Sequence, residues 1–140
     1  MTPTNVIAIR AGPRKALLGI YRCLDRAGVN HIEVEGPVDV PAALGEDGAD
    51  AVLVFNTARG EARETLRILR RDWAHVPVVV VVDKTSFDEY YELMCEGAYD
   101  YFEVSEGAEV IAEALRWAAH SRVSPPRAAC VGQGTYVGIT

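Results

Sequence analysis

The chain has 140 residues, 49% hydrophobic and 24% charged, with a net charge of −6. That is one domain's length, with enough apolar material for its own core, and the acid excess and scattered basic residues argue against a nucleic-acid-binding surface. Cys23, Cys95 and Cys130 show no CxxC spacing and His31, His75 and His120 form no metal-ligand pattern, so neither a metal nor a cofactor is expected, and the two thiols within helical patterns, Cys23 and Cys95, read as small buried hydrophobes in a reducing cytosol.

No signal peptide is visible, because Thr2-Pro3-Thr4-Asn5 precedes only a short apolar strand, and the longest apolar run is too short to span a bilayer. A cytoplasmic protein without membrane contact is expected. Five repeats of strand then helix can be read. Val6–Ile9 is a short strand ending at Arg10-Ala11-Gly12-Pro13. Pro13 suits a helix's first turn, Ala16, Leu17, Ile20, Tyr21, Leu24 and Ala27 recur at helical spacing, and Gly28 is a natural stop. His31–Glu35 alternates, as a strand nearer a sheet edge does. Residues 39 or 40 to 44 suggest a short, weak helix ended by Gly45. Ala51–Phe55 is a buried strand leading into Asn56-Thr57-Ala58-Arg59-Gly60, and the next helix runs to about Asp72 with Ala62, Leu66 and Leu69 facing in.

Val76-Pro-Val-Val-Val-Val-Val82 has six valines in seven residues. It cannot present a polar face, so both its faces must be covered, which marks a central strand of a parallel sheet with helices on both sides. Ser86 with Glu89 three residues on has the spacing of a capping box. That helix ends at Gly97, Tyr99–Val104 is the fifth strand, and Glu106–Ser121 is the fifth helix, with Val110, Ile111, Ala114, Leu115 and Ala118 inward. After Arg122 the segment Val123-Ser-Pro-Pro-Arg127 stops the helix. Ala128–Thr140 holds three glycines and no charge. Residues 1–122 therefore form the domain, and 123–140 read as a tail or linker, or, since Thr135-Tyr-Val-Gly-Ile-Thr140 has some β-propensity, as an added strand.

The run Pro77–Val82, then Gly97-Ala-Tyr-Asp-Tyr101, then Glu109–Ala119 resembles the second half of a response-regulator receiver domain, and Asp50–Val54 and Leu66–Arg70 are of the same type. The resemblance covers about residues 5–122. It implies a flavodoxin-like (βα)5 doubly wound α/β fold in three αβα layers, with strand order 2-1-3-4-5. It also implies transfer of a phosphoryl group from a histidine kinase to an Asp at the end of the third strand. That chemistry needs acids after the first strand to hold Mg²⁺, a Thr or Ser after the fourth strand and a Lys after the fifth.

Each of these positions departs from the pattern. Arg10-Ala11-Gly12 stands where the acids belong. The acceptor position holds Phe55, or Asn56 if the register slips by one. The hydroxyl falls on Val82 and the Lys on Val104. Neither Phe nor Asn can form an acyl phosphate, and an Arg repels the metal. The expectation is an atypical receiver that is not an enzyme and acts by protein–protein interaction in a two-component or phosphorelay-type pathway.

Arg10 can be read as standing in for the metal and pairing with Asp83 or a nearby Glu, or, with Asn56, Asp83 and Glu103 or Glu106, as a separately solvated loop end. Tyr101 stands where many receivers carry an aromatic that turns inward on activation. It reads either as a switch or as a ring packed on the preceding helix. Tyr90, Tyr91, Tyr101 and Trp117 could together form a patch for a protein partner or a second copy of the chain. The alternative is a small-molecule binder or enzyme using the crevice at the strand ends. No Gly-x-Ser-x-Gly context surrounds Ser86, Ser105 or Ser121, and Gly12-Pro13 is not a Gly-x-Gly-x-x-Gly loop, so neither a hydrolase nucleophile nor a dinucleotide site is supported.

Overall fold

A computed structural model describes residues 4–36, 49–56 and 61–121. The short helix expected before Gly45, the loop after Asn56 and the tail from 123 lie outside the described residues. Five strands form one parallel sheet: β1 (Asn5–Ala11), β2 (Asn30–Val34), β3 (Ala51–Asn56), β4 (Val78–Val82) and β5 (Asp100–Glu103), in the order β2-β1-β3-β4-β5. The helices are α1 (Leu18–Arg26), α2 (Glu61–Asp72), α3 (Phe87–Cys95) and α4 (Ala108–His120). A 3-10 turn, Arg14–Leu17, leads into α1, and another, Val104–Glu106, follows β5.

The alternation along each strand assigns its two faces. Val6, Ala8, Leu53, Phe55, Val79 and Val81 meet Leu17, Ile20, Tyr21 and Leu24 and, from α4, Ile111, Leu115 and Ala118. Ile7, Ile9, Val52, Val54, Val78, Val80 and Val82 meet Ala62, Leu66 and Leu69 of α2 and Leu93 of α3. The valine strand is buried at all five positions, as its composition requires. It lies between β3 and β5, so the middle of the sheet is β3 rather than β4.

Two inward assignments fail, both at helix ends where the chain turns off the sheet. Ala27 is exposed beyond the last turn of α1. Val110 is 49% exposed in the first turn of α4, because that helix starts at Ala108 after the 3-10 turn rather than at Glu106. Gly97 shows why α3 must stop where it does. Its φ is +104°, a conformation that strains any residue with a Cβ, and a Cβ there would also push aside the Arg70 side chain, whose Nε would lie 2.5 Å away. Beside it, Glu96 receives Arg63 and Arg67 at 2.9 and 3.1 Å, tying α2 to α3.

Val80 is fully buried between the α2–α3 layer and its strand neighbours. Val80→Ala removes two methyl groups and should cost about 1.5–3 kcal/mol of stability, read as a midpoint shift in urea. A shift worth less than about 0.5 kcal/mol would mean that the strand is not packed on both faces.

Candidate functional site

In a doubly wound sheet the carboxyl ends of the strands carry the chemistry. The register brings those ends level: Ala11 pairs with Asn56, Asn56 with Val82, and Val82 with Glu103. Of the residues expected at a phosphorylation pocket, Phe55 is fully buried in the α1–α4 layer, so it lies under the crevice rather than in it. Asn56 is the last residue of β3, Val82 is 4% exposed, and Val104 opens the 3-10 turn one residue beyond the row. The residue level with Val82 on β5 is Glu103.

Arg10 does not meet Asp83. Its Nε lies 3.2 Å from Oε1 of Glu33, a residue of the neighbouring strand β2, and its Nη1 donates to the carbonyl of Gly12 at 2.8 Å. Nε is buried and not aligned for a hydrogen bond to the carboxylate, so that contact is one of charge rather than of a directed bond. Arg14 lies 3.5 Å from the same oxygen, and the buried Tyr21 donates its hydroxyl to the other at 2.7 Å. The Tyr21 ring stacks on His31 at 4.5 Å, and His31 in turn meets Asp25 at 3.0 Å. Burial would raise the Glu33 pKa, but the Tyr21 hydrogen bond and the two guanidinium groups outweigh it and hold the carboxyl below its usual value. The Tyr21 hydroxyl is pushed upward, first by burial and then by its bond to Glu33.

These residues do not fit a divalent cation. β1 ends in a guanidinium already committed to a carboxylate, then in Ala11. Among the described residues no three His, Cys, Asp or Glu side chains converge as metal ligands.

The turn between β4 and α3 holds contacts that residue spacing only half foretells. Ser86 caps α3, its Oγ accepting the Glu89 N–H at 3.1 Å. Glu89 does not return to the Ser86 N–H to complete the box. The hydroxyl of Tyr101 stands between them, accepting from the Ser86 N–H at 3.2 Å and donating to Glu89 at 2.6 Å. Tyr101 is therefore turned inward, 7% exposed. On the other side of the turn, Oε1 of Glu103 accepts both the N–H and the hydroxyl of Thr85, at 3.0 and 3.1 Å. Its Oε2 accepts the Ser105 hydroxyl at 2.6 Å. Glu103 and Glu106, at a capping-box spacing missed in the sequence, form such a box around the 3-10 turn.

Of the four aromatics expected to share a patch, Tyr90 and Tyr101 meet at 5.9 Å, and Phe87, missed in the sequence, joins Tyr90 at 6.5 Å. Phe87 is 76% exposed, and Tyr90 and Tyr91 are about half so. Trp117 is 64% exposed on α4, in the opposite helical layer. A shallow cleft of about 500 Å³ lies elsewhere, between α1 and the start of α4, lined by Gly19, Arg22, Arg26, Gly107 and Glu109. No described helix is long and apolar enough to cross a membrane.

The lowered pKa of Glu33 sets a pH dependence. Its stabilising contribution is complete above the carboxyl's ordinary value of 4.5 and is lost as the pH falls through the lower folded value. Glu33→Gln should be about 1 kcal/mol less stable than wild type at neutral pH. The two should converge in urea titrations carried out at increasingly acid pH. A gap that persists unchanged into acid would show that charge is not its source.

No protein-family model and no curated protein sequence matches the chain. Solved structures do match. A response regulator from Thermotoga maritima superposes with a TM-score of 0.75 at 19% identity, covering 86% of this chain and 100% of that one. The signal receiver domain of the response regulator NarL from Mycobacterium tuberculosis gives 0.72 at 15%, covering 86% and 99%. An orphan response regulator of H. pylori gives 0.68 at 16%, covering 83% and 96%. The five-stranded order, the two helical layers and these superpositions agree: the chain has the flavodoxin-like fold of response-regulator receiver domains.

Proposed function

We propose that the chain is a cytoplasmic, receiver-like signalling module that neither accepts a phosphoryl group nor catalyses a reaction, and that it acts by docking a protein partner or a second copy of itself. The observation that carries the reading is the combination at the strand ends: Arg10 committed to Glu33, and Phe55 in the core. An acyl phosphate needs a carboxylate nucleophile and a cation to balance the transferred charge. Neither Phe55 nor Asn56 supplies the first, and the guanidinium paired with Glu33 stands where the second would be held. Docking is supported by the exposed rings of Phe87, Tyr90 and Tyr91, grouped on α3, and of Trp117 on α4.

Treatment with acetyl phosphate and Mg²⁺ should leave the intact mass unchanged. A hydroxylamine-sensitive phosphoadduct would overturn the reading.

Trp117→Ala should weaken self-association or partner binding by more than about 1 kcal/mol while leaving the circular dichroism spectrum intact, with sedimentation as the measurement. Equal association with an unchanged spectrum would leave Trp117 as a solvent-facing side chain and move the interface elsewhere. Phe87→Ala, tested in parallel, distinguishes the α3 layer from the α4 layer as its site.

A further inference from the structure

The donors of the Thr85–Ser86 turn are taken up by β5. Two consecutive backbone N–H groups and one hydroxyl point at side chains of that strand. Thr85 N–H and Thr85 Oγ share Oε1 of Glu103, and Ser86 N–H reaches the hydroxyl of Tyr101. Each acceptor is fixed by a further bond. Glu103 Oε2 takes the Ser105 hydroxyl, and Tyr101 gives its own proton to Glu89 in the first turn of α3. Glu103 and Tyr101 are two residues apart on one strand, so they lean to the same side and arrive at successive residues of the turn.

We propose that Glu103 and Tyr101 form a built-in clamp that closes the β4–α3 turn against β5, so that the turn keeps one shape without an external anion. Adjacent amide and hydroxyl donors at a loop are the usual cradle for an oxyanion. Here the chain's own carboxylate fills that place. The hydrogen bonds from Ser105 and then Thr85 hold the Glu103 carboxyl below its usual pKa. An external oxyanion could reach the Thr85 donors only by displacing a charged group already bonded on both oxygens.

The clamp also fixes the start of α3. Ser86 is its N-cap and Glu89 lies in its first turn, so the Tyr101 hydroxyl sets where Phe87 and Tyr90 emerge. The clamp bears on the docking face proposed above without depending on it, because hydrogen exchange reads the turn and sedimentation reads the face.

The test is residue-resolved amide hydrogen exchange on the full chain, with the Val79–Val81 amides as the fold control. In wild type the Thr85 and Ser86 amides should be protected about tenfold or more relative to an unstructured peptide, and addition of inorganic phosphate or beryllofluoride with Mg²⁺ should leave them unchanged. Glu103→Ala should release the Thr85 amide by about tenfold while leaving Val79–Val81 protected. Glu103→Gln keeps an accepting oxygen and should retain most of the protection, and Tyr101→Phe should release Ser86 rather than Thr85. Unprotected Thr85 and Ser86 amides in wild type would overturn the proposal without recourse to any variant. A Thr85 amide that is indifferent to Glu103→Ala, or one that responds to the added anion, would overturn it as well.

Discussion

A parallel sheet with helices against both faces has no interior place for a charge. Val78–Val82 is buried from end to end, as are Val52–Phe55 of the neighbouring β3 and Val6–Ile9 of β1 beyond it. Besides the hydroxyl-bearing rings of Tyr21 and Tyr101, the one buried polar side chain among the described residues is Thr65, on a helix rather than a strand. Burying an unpaired ionised group there would cost several kcal/mol. Among the described residues the charged groups are therefore driven to strand ends, sheet edges or outer helical faces, and what the molecule can do is decided by how those few places are filled.

Two of them are filled by groups that answer one another. At the β1–β2 edge, Arg10 and Arg14 close on Glu33, with Tyr21 donating from beneath. At the β5 end, Glu103 closes on Thr85 and Ser105. In both, cation or donor meets carboxylate within the chain, so the carboxylate's partners are already supplied from inside the molecule. A fold shared with solved structures at 11–19% identity can hold quite different side chains at its strand ends. The fold asks only that the strands be apolar and that the helices present apolar stripes. Phosphoryl transfer would ask for particular side chains at a handful of positions, and those can change without disturbing the core.

The same division explains what could be read from the residues alone. The valine run, the stripes of Ala62, Leu66 and Leu69 and of Ile111, Leu115 and Ala118, and the stop at Gly28 are local patterns of burial. Periodicity shows them, and the strand order follows from the resemblance they carry. The partner of Arg10 is different in kind. Glu33 is 23 residues away and becomes its neighbour only because β1 and β2 pair with Ala8 opposite Glu33. Neither the alternation in β2 nor the charge of Arg10 contains that register. Val110 and Ala27 were misjudged for a related reason: a helical stripe says which side is inward, but not where the helix leaves the sheet.

Tyr101 joins the two levels. Its backbone and ring belong to the buried sheet, opposite Val80 and against the α2–α3 layer. Its hydroxyl reaches the rim, where it takes an amide proton from Ser86 and gives its own to Glu89. A phenylalanine would satisfy the core equally well, since the ring supplies the apolar area. It would leave the Ser86 N–H to water and Glu89 without its donor. The oxygen therefore serves the turn rather than the core, and through Ser86 and Glu89 it sets the first turn of α3. The Tyr90 ring, 5.9 Å from that of Tyr101, and Phe87 beside it stand on that same turn. The exposed aromatic surface is thus referred back to the sheet through one side chain, and its geometry is as fixed as the hydrogen bonds that side chain keeps.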